Sequence, residues 1–200
     1  MYRIILASES PRRREIMEKM GIRFETMASH VPELVKEKEP EAMVQALAAL
    51  KTKDIADRLI NSQNEPIIII GADTMVFYQE NALGKPRNEG DAVRMLGMLS
   101  NDVHEVYTGV SIRIYQGGKE DTLSFAVCTK VKVQELTLDQ IKAYVATGEP
   151  MDKAGAYAIQ GRFGIHIEEI QGDYYNVVGF PIAKIYDTLR KHGIDLLNLK

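Results

Sequence analysis

Residues 66–74 read Pro-Ile-Ile-Ile-Ile-Gly-Ala-Asp-Thr, and this stretch is the best indicator of the fold class. Pro66 opens a run of four β-branched side chains, which is typical of a strand covered on both faces. Asp73 follows directly after that run, so we expect its carboxylate at the end of a buried strand. Ligands gather at this position in α/β sheets.

Other elements are predicted on the N-terminal side of this strand. Residues 2–7 form a short apolar run typical of another buried strand, and a helix is expected from Pro11 to a stop at Gly21. Apolar residues at helical spacing predict a second helix that starts near Pro40. Residues 61–64, Asn-Ser-Gln-Asn, are expected to form a loop before the isoleucines.

The C-terminal side contains the clearest alternation of apolar and polar side chains. A helix is expected over about residues 90–99, before two alternating runs, Val106–Ile114 and Leu123–Val133, that flank Gly117-Gly118. Two such runs around a Gly-Gly turn predict a long antiparallel hairpin. The chain is therefore expected to be an α/β protein with a mixed sheet.

Three more elements complete the predicted order. Residues 137–140, Thr-Leu-Asp-Gln, match a capping box, so a helix is expected to run to about Thr147. The glycine-rich residues 154–161 then lead to a short strand at about 165–170. A final helix is expected from near Pro181 to Gly193.

Composition excludes several classes of protein. The chain has 200 residues with 25 Lys and Arg against 28 Asp and Glu, so neither a basic nucleic-acid coat protein nor a polybasic membrane binder is expected. No apolar stretch approaches the ~20 residues of a membrane span, and the N-terminus does not resemble a secretory signal. The single cysteine, Cys128, excludes an internal disulfide framework. We predict one cytosolic domain over residues 1–200, with no membrane or nucleic-acid partner.

The first candidate site is the segment 8–14, Ser-Glu-Ser-Pro-Arg-Arg-Arg. Backbone N–H groups at the start of a helix carry partial positive charge, so arginines are misplaced there unless an anion shares the site. Hydroxyl, N–H and guanidinium groups at one strand-to-helix turn would bind a phosphate. The alternative is that Ser10 only caps the helix and the arginines are solvated or paired with acids.

The second candidate is Asp73, whose carboxylate could hold a divalent cation or position a water for attack on phosphorus. The alternative is an ordinary turn aspartate that binds backbone N–H groups. Lys85, between glycine and proline, could supply a point charge to a phosphate, although such a lysine is more often solvated. Lys51 and Glu33 carry weaker local signals, since a helical Lys and a loop Glu are normally exposed.

Two later segments carry further candidate signals. In residues 152–161, small residues permit close backbone approach, and Gln160 offers both a donor and an acceptor to a base edge. The alternative is a packed loop whose glycines adopt unusual backbone angles. Residues 172–179, Gly-Asp-Tyr-Tyr-Asn-Val-Val-Gly, are equally explained by packing. His104 has no second histidine nearby and is expected to be structural.

Together these segments resemble the Maf family of nucleoside triphosphate pyrophosphatases. The resemblance rests on six blocks that span nearly the whole chain in the family's order, residues 8–13, 71–74, 84–86, 104–110, 152–157 and 172–179. It implies an inosine-triphosphatase-like fold with an elongated mixed sheet flanked by helices and two lobes around a cleft. It also implies metal-dependent hydrolysis of a nucleoside triphosphate to a monophosphate and pyrophosphate, and it makes a homodimer an expectation.

Residue roles follow from the same resemblance. Asp73 matches the family's proposed proton acceptor, and Glu33 matches an acidic residue near the metal, expected to be Mg²⁺ or Mn²⁺. The positions on the phosphate side are Ser8, Arg12, Arg13, Lys51 and Lys85. The positions tied to substrate choice are Arg12, Thr74 and Gln160. Whether Asp73 acts as a base or as a metal ligand stays open.

The segment 152–161 resembles the branch that prefers dTTP and UTP rather than the one acting on 7-methyl-GTP. Two alternatives keep the same site: an enzyme that removes modified pyrimidine nucleotides, and a nucleotide-binding regulator of cell division with little turnover. The intact Glu33, Asp73 and Lys85 favour an enzyme, since a sensor needs no carboxylate to activate water.

Overall fold

The computed structural model describes residues 2–59 and 65–198. Within those ranges a mixed sheet has seven strands. Their order is β2 (Glu25–Thr26), β1 (Arg3–Leu6), β3 (Ile67–Tyr78), β5 (Val103–Gln116), β6 (Lys119–Val133) and β7 (Ile167–Gln171), with β4 (Asn81–Leu83) paired to β3. The α/β class and the mixed sheet are therefore confirmed. The loop predicted at residues 61–64 lies outside the described residues.

The N-terminal half of the sheet is parallel. Strand β1 (Arg3–Leu6) pairs with β2 (Glu25–Thr26) and with β3 (Ile67–Tyr78), and all three run in the same direction. The connections contain α1 (Pro11–Lys19) and α2 (Pro40–Leu59), as predicted from the prolines at their starts. Helical crossovers are what parallel neighbours require.

Strand β3 is longer than predicted. Its four isoleucines are buried, but the strand continues through Asp73 and ends only at Tyr78, so Asp73 lies within the strand and not at its end. The buried side chains of Ala72, Val76 and Phe77 extend the apolar surface and explain the continuation.

Strand β4 (Asn81–Leu83) was missed by the sequence pattern. It pairs antiparallel to β3 through a two-residue turn in which both Gln79 and Glu80 have positive φ, at 48° and 65°. That backbone is normally signalled by Gly, Asn or Asp, so Gln-Glu gives no warning of a hairpin.

The long hairpin is confirmed. Its strands β5 (Val103–Gln116) and β6 (Lys119–Val133) are joined by Gly117 and Gly118, whose φ values of 58° and 74° fit the two-residue turn that strand twist favours. Strand β7 (Ile167–Gln171) then pairs antiparallel to β6. It starts later than predicted because residues 162–166 form a 3₁₀ turn.

The remaining helices are short. The capping box at Thr137 and Gln140 forms with both reciprocal hydrogen bonds, and its helix ends at Val145, slightly before the predicted end. Residues 172–179 contain a five-residue helix that was not predicted. The bounds are α3 (Glu89–Leu99), α4 (Leu138–Val145), α5 (Tyr174–Val178) and α6 (Ile182–Lys191).

The chain divides into two compact units. Unit 1 comprises Met1–Asp73, Thr108–Val127 and Gly179–Lys200, and unit 2 comprises Thr74–Tyr107 and Cys128–Val178. A core in unit 1 packs α2 against the inner strands through Ile5, Ala7, Ile55, Ala56, Leu59, Ile67 and Ile69. The core of unit 2 includes Val76, Leu96, Val106, Val131, Tyr144 and Phe163. In residues 2–59 and 65–198, no helix has both the length and the apolar composition needed to cross a bilayer.

Candidate active site

The side chain of Lys51 joins the two acidic candidates of unit 1. Its Nζ donates to Asp73 Oδ1 at 2.5 Å and lies 2.8 Å from Glu33 Oε1. The Lys51 side chain is only 14% exposed and that of Asp73 11%, whereas Glu33 is 58% exposed. One ammonium group therefore bridges an almost buried carboxylate and a solvent-facing one.

Two glycines allow α2 to lie close enough to the sheet for this contact. A Cβ at Gly71 would stand 2.7 Å from Thr52 Cγ2, and one at Gly109 would stand 2.2 Å from the backbone carbonyl of Val44. Neither place has room for a side chain. Lys51 precedes Thr52 on the helix and Asp73 is two residues beyond Gly71, so this close packing sets the distance between them.

Arg13 supplies a second buried cation in unit 1. Its guanidinium donates through Nε to Gly179 O at 2.8 Å and through Nη1 to Ser8 Oγ at 3.1 Å. Burial lowers the pKa of Arg13, while the charges of Asp73 and Glu33 act in the opposite direction. The predicted phosphate residues Ser8 and Arg13 therefore lie within electrostatic range of the predicted carboxylates.

The start of α1 keeps the features expected of an anion site. Ser10 occupies the N-cap position, but its side chain makes no capping hydrogen bond, and its N–H donates to Ser8 Oγ at 3.2 Å. No acidic residue stands in the first turn, where Arg12 is half-buried and Arg13 buried. Ser10 is therefore the N-cap residue, as the alternative expects, but it caps the helix without a side-chain hydrogen bond, and Arg13 is buried instead of solvated.

Unit 2 carries the other three candidates. Thr74 is half-buried on β3, while Lys85 and Gln160 are exposed on loops. The loops touch, since Gly155 N–H donates to Gly84 O at 3.1 Å. Gly155 also has a φ of 70°, and a Cβ there would stand 2.9 Å from Val76 on β3. The alternative that residues 152–161 form a packed loop with unusual glycine backbone angles is therefore confirmed at Gly155.

Three further side chains hold the segment 152–161. His104 is buried and shares a hydrogen bond of 2.8 Å with the hydroxyl of Tyr157, in keeping with its predicted structural role. Tyr144 and Glu149, which sequence reasoning missed, contact residues on both sides of Gln160. In this region the sequence pattern predicted only that a helix ends at Gly148, and that prediction does not indicate the contacts of Tyr144 and Glu149.

The polar segment 172–179 has a packing role in unit 2. The buried Asn176 side chain donates to Val106 O at 2.9 Å and to Thr129 Oγ1 at 3.0 Å. Gly172 has a φ of 135°, with Thr129 Oγ1 only 2.8 Å from the place of a Cβ. Gly179, at the end of the segment, belongs to unit 1 and accepts from Arg13.

The donor set of unit 1 suits a hard divalent cation bound together with phosphate. In residues 2–59 and 65–198, no group of three or more His, Cys, Asp or Glu is arranged as a metal site. Glu33 and Asp73 nevertheless both place a carboxylate oxygen on one cation, the Lys51 ammonium. Mg²⁺ is commonly held by one or two carboxylates plus substrate phosphates, so these residues fit it.

Comparison with known proteins found a family model and several relatives that match nearly the whole chain. The family model described as "Maf-like protein" matches residues 3–192. The chain is 47% identical over 198 residues to a dTTP/UTP pyrophosphatase of Lachnoclostridium phytofermentans, covering 98% of each chain. It is 45% identical over 205 residues to a dTTP/UTP pyrophosphatase of Agathobacter rectalis, covering 98% of this chain and 100% of the other.

Among solved structures, the chain is similar to the Ham1 protein of Staphylococcus aureus, with a TM-score of 0.43 and 16% identity over 95% of this chain and 99% of that one.

The family match spans almost the whole chain and includes every candidate residue from Ser8 to Gln160. The chain therefore belongs to the Maf family.

Proposed function

We propose that this chain is a nucleoside triphosphate pyrophosphatase that hydrolyses dTTP and UTP to the nucleoside monophosphate and pyrophosphate. The observation that carries the proposal is the bridge from Lys51 to Asp73 and Glu33, with the buried Arg13 close by. Relatives that are 45–47% identical over nearly the whole chain are named dTTP/UTP pyrophosphatases, which supports the substrate pair.

The cations account for phosphate binding. Arg12, Arg13 and the N–H groups at the start of α1 offer positive charge, and Lys51 adds an ammonium that is almost buried. Preorganised positive charge is most effective where negative charge grows in the transition state, in this case on the leaving pyrophosphate. We assign Ser8 and Lys85 to phosphate binding on the strength of their match to the family's phosphate-side positions.

Asp73 is the residue assigned to the reacting water. Its carboxylate either deprotonates or orients a water for in-line attack on the α-phosphorus, or it holds the metal. Its contact with the Lys51 ammonium at 2.5 Å fixes the position of the carboxylate at the site. Attack at the α-phosphorus, which the resemblance to the family implies, makes pyrophosphate the leaving group.

We further propose dependence on Mg²⁺ or Mn²⁺, with Glu33 and Asp73 as its protein ligands. Such an ion would offset the charge on the phosphate oxygens. Gln160, Thr74 and Arg12 are assigned to substrate choice on the strength of their match to the family's positions. The Gln160 amide offers a donor and an acceptor to a base edge from an exposed position. A cytoplasmic homodimer completes the proposal.

Product analysis tests the reaction. Purified protein is incubated with Mg²⁺ and dTTP, UTP, CTP, ATP or GTP, with a parallel arm in excess EDTA. We expect monophosphate and pyrophosphate from dTTP and UTP, and loss of both products in EDTA. Orthophosphate with a diphosphate would show that the attack is on another phosphorus, and tight binding without turnover would indicate a regulator.

Asp73→Asn tests the role of the carboxylate. We expect turnover to fall by at least ~100-fold, the low end for loss of a positioned acid or base. Asp57→Asn is the matched control, because Asp57 is exposed on α2 and pairs only with Lys53 among the contacts described for it. Near-normal turnover in Asp73→Asn would contradict the assignment.

A further inference from the structure

Gln160 lies on a short segment whose backbone is hydrogen-bonded to side chains on both sides of it. On its N-terminal side, Ala158 N–H donates to the hydroxyl of Tyr144 at 3.2 Å. On its C-terminal side, Arg162 N–H donates to both carboxylate oxygens of Glu149, at 3.1 and 3.2 Å. The Tyr144 hydroxyl in turn donates to Glu149 Oε1 at 2.8 Å, so one hydrogen-bonded pair holds both sides.

The packing around this pair leaves little freedom. Tyr144 is 5% exposed, and its ring lies 4.9 Å from the ring of Phe163, centroid to centroid. A Cβ at Gly161 would stand 2.3 Å from Glu149 Oε1, so the carboxylate fills the place of a side chain there. Burial also raises the pKa of Tyr144, which keeps its hydroxyl protonated as a donor at neutral pH.

We propose that Tyr144 and Glu149 are positioning residues that set the preference for the nucleobase by fixing Gln160; this rests on the function proposed above. Uracil and thymine offer a carbonyl acceptor at the position where cytosine offers an amino donor. The Gln160 amide carries both a donor and an acceptor, so a loosely held Gln160 pairs with either base. Discrimination therefore requires that Gln160 present its amide NH2 group, and not its oxygen, to the base, and a backbone held on both sides of Gln160 limits the orientations that its side chain can adopt.

Tyr144→Phe tests this role, because it removes the hydroxyl and keeps the ring against Phe163. Steady-state constants are measured for UTP and CTP. The ratio of kcat/KM for UTP to that for CTP should fall roughly 5- to 10-fold, as expected for the net loss of one hydrogen bond. The change should appear in KM for UTP, with kcat kept within about twofold.

Tyr78→Phe is the matched control. It also deletes a phenolic hydroxyl in unit 2, one that donates to Asp102 Oδ2 at 2.7 Å, and it leaves the Gln160 segment untouched. The ratio should not change in this variant. An unchanged ratio in Tyr144→Phe, an equal change in Tyr78→Phe, or an equal loss of kcat for both nucleotides would overturn the proposal.

Should Tyr144→Phe fail to fold, Glu149→Gln provides the second test. Glu149→Gln keeps one side-chain oxygen as a hydrogen-bond acceptor and replaces the other by an NH2 group. The ratio of kcat/KM for UTP to that for CTP should therefore change less than in Tyr144→Phe, and in the same direction. A folded Glu149→Gln with an unchanged ratio would overturn the proposal.

A double-mutant cycle separates positioning from general destabilisation. If Tyr144 acts through Gln160, Tyr144→Phe should leave the UTP-to-CTP ratio unchanged in a Gln160→Ala background. Additive effects would contradict the proposal. Equilibrium binding of UMP and CMP gives the same comparison without turnover. A UMP preference lost in Tyr144→Phe, in a protein that hydrolyses nothing, would sustain the positioning role and reject the proposed reaction.

Discussion

Lys51 has a weak signal in the sequence, yet in the structure its side chain contacts both predicted carboxylates. A lysine within a helix is normally exposed, and nothing around position 51 in the sequence indicates otherwise. In the structure its ammonium contacts Asp73 at 2.5 Å and Glu33 at 2.8 Å with the side chain 14% exposed. An ion pair in this environment is screened far less than one at the surface.

Replacing Lys51 by Met should reduce kcat/KM for UTP by about 100-fold, the scale found when one preorganised donor is removed from a reacting centre. The thioether side chain fills a similar volume but leaves the Asp73 carboxylate without its nearest cation. Steady-state kinetics on protein verified as folded by circular dichroism would measure the loss.

Lys53→Met is the control for that variant. Lys53 lies two residues along the same helix, with its side chain 59% exposed and paired with Asp57. An exposed pair of this kind is worth about 0.3–0.5 kcal/mol, so activity should be unaffected. Equal losses in the two variants would show that a general change of charge, and not the contact with Asp73, is responsible.

At the scale of elements, α2 lies against the sheet because β3 and β5 carry glycine where the helix passes. The place of a Cβ at Gly109 is 2.2 Å from the carbonyl carbon and oxygen of Val44 and 2.5 Å from Gln45 N. These are backbone atoms, which cannot rotate away as a side chain can.

Gly109→Ala should therefore push α2 from the sheet and lower the free energy of unfolding by at least about 2 kcal/mol, within the range for overpacked cores. Activity should fall as well, because Lys51 moves with the helix. Urea unfolding and steady-state kinetics on the same preparation check both effects.

Gly97→Ala serves as the comparison. Gly97 lies on α3 with nothing within 4 Å of the place where a Cβ would stand and without a positive φ, so alanine should stabilise that helix by about 0.5–1 kcal/mol. A Gly109→Ala protein as stable as Gly97→Ala would contradict the close packing of α2.

The stability of the whole molecule should depend on pH through His104. Burial lowers the pKa of His104 from its ordinary 6.5 to about 4, with Asp102 acting weakly in the opposite direction. The unfolded chain therefore binds this proton more tightly than the folded one. The His104 contribution is complete above pH 6.5 and is lost as the pH falls from 6.5 towards 4.

Between pH 7.5 and pH 5, the free energy of unfolding should fall by about 2 kcal/mol on account of His104 alone. Urea unfolding of the wild type and of His104→Gln at both pH values measures the contribution of His104, because the variant should lack this fall in the free energy of unfolding. His192→Gln, at an exposed histidine, should keep the wild-type dependence. A His104→Gln protein with the same pH dependence as the wild type would reject the assignment.

The elements that could be predicted from the sequence are those with local causes. The isoleucines at 67–70, the alternation on both sides of Gly117-Gly118 and the capping box at Thr137 each specify their structure within a few residues, and each was confirmed. The order of motifs also indicated the family. Strand β4 escaped because Gln79 and Glu80 adopt a backbone that their side chains do not favour.

Which of the candidate residues contact one another could not be predicted, because it depends on tertiary packing. Lys51, Glu33 and Asp73 are far apart in the chain, and their contact depends on the approach of α2 to Gly71 and Gly109. The hold of Tyr144 and Glu149 on the segment around Gln160 is likewise invisible in the sequence. Local patterns specify backbone conformation over one or two turns, whereas charge pairing and hydrogen bonding between distant segments depend on how the elements pack.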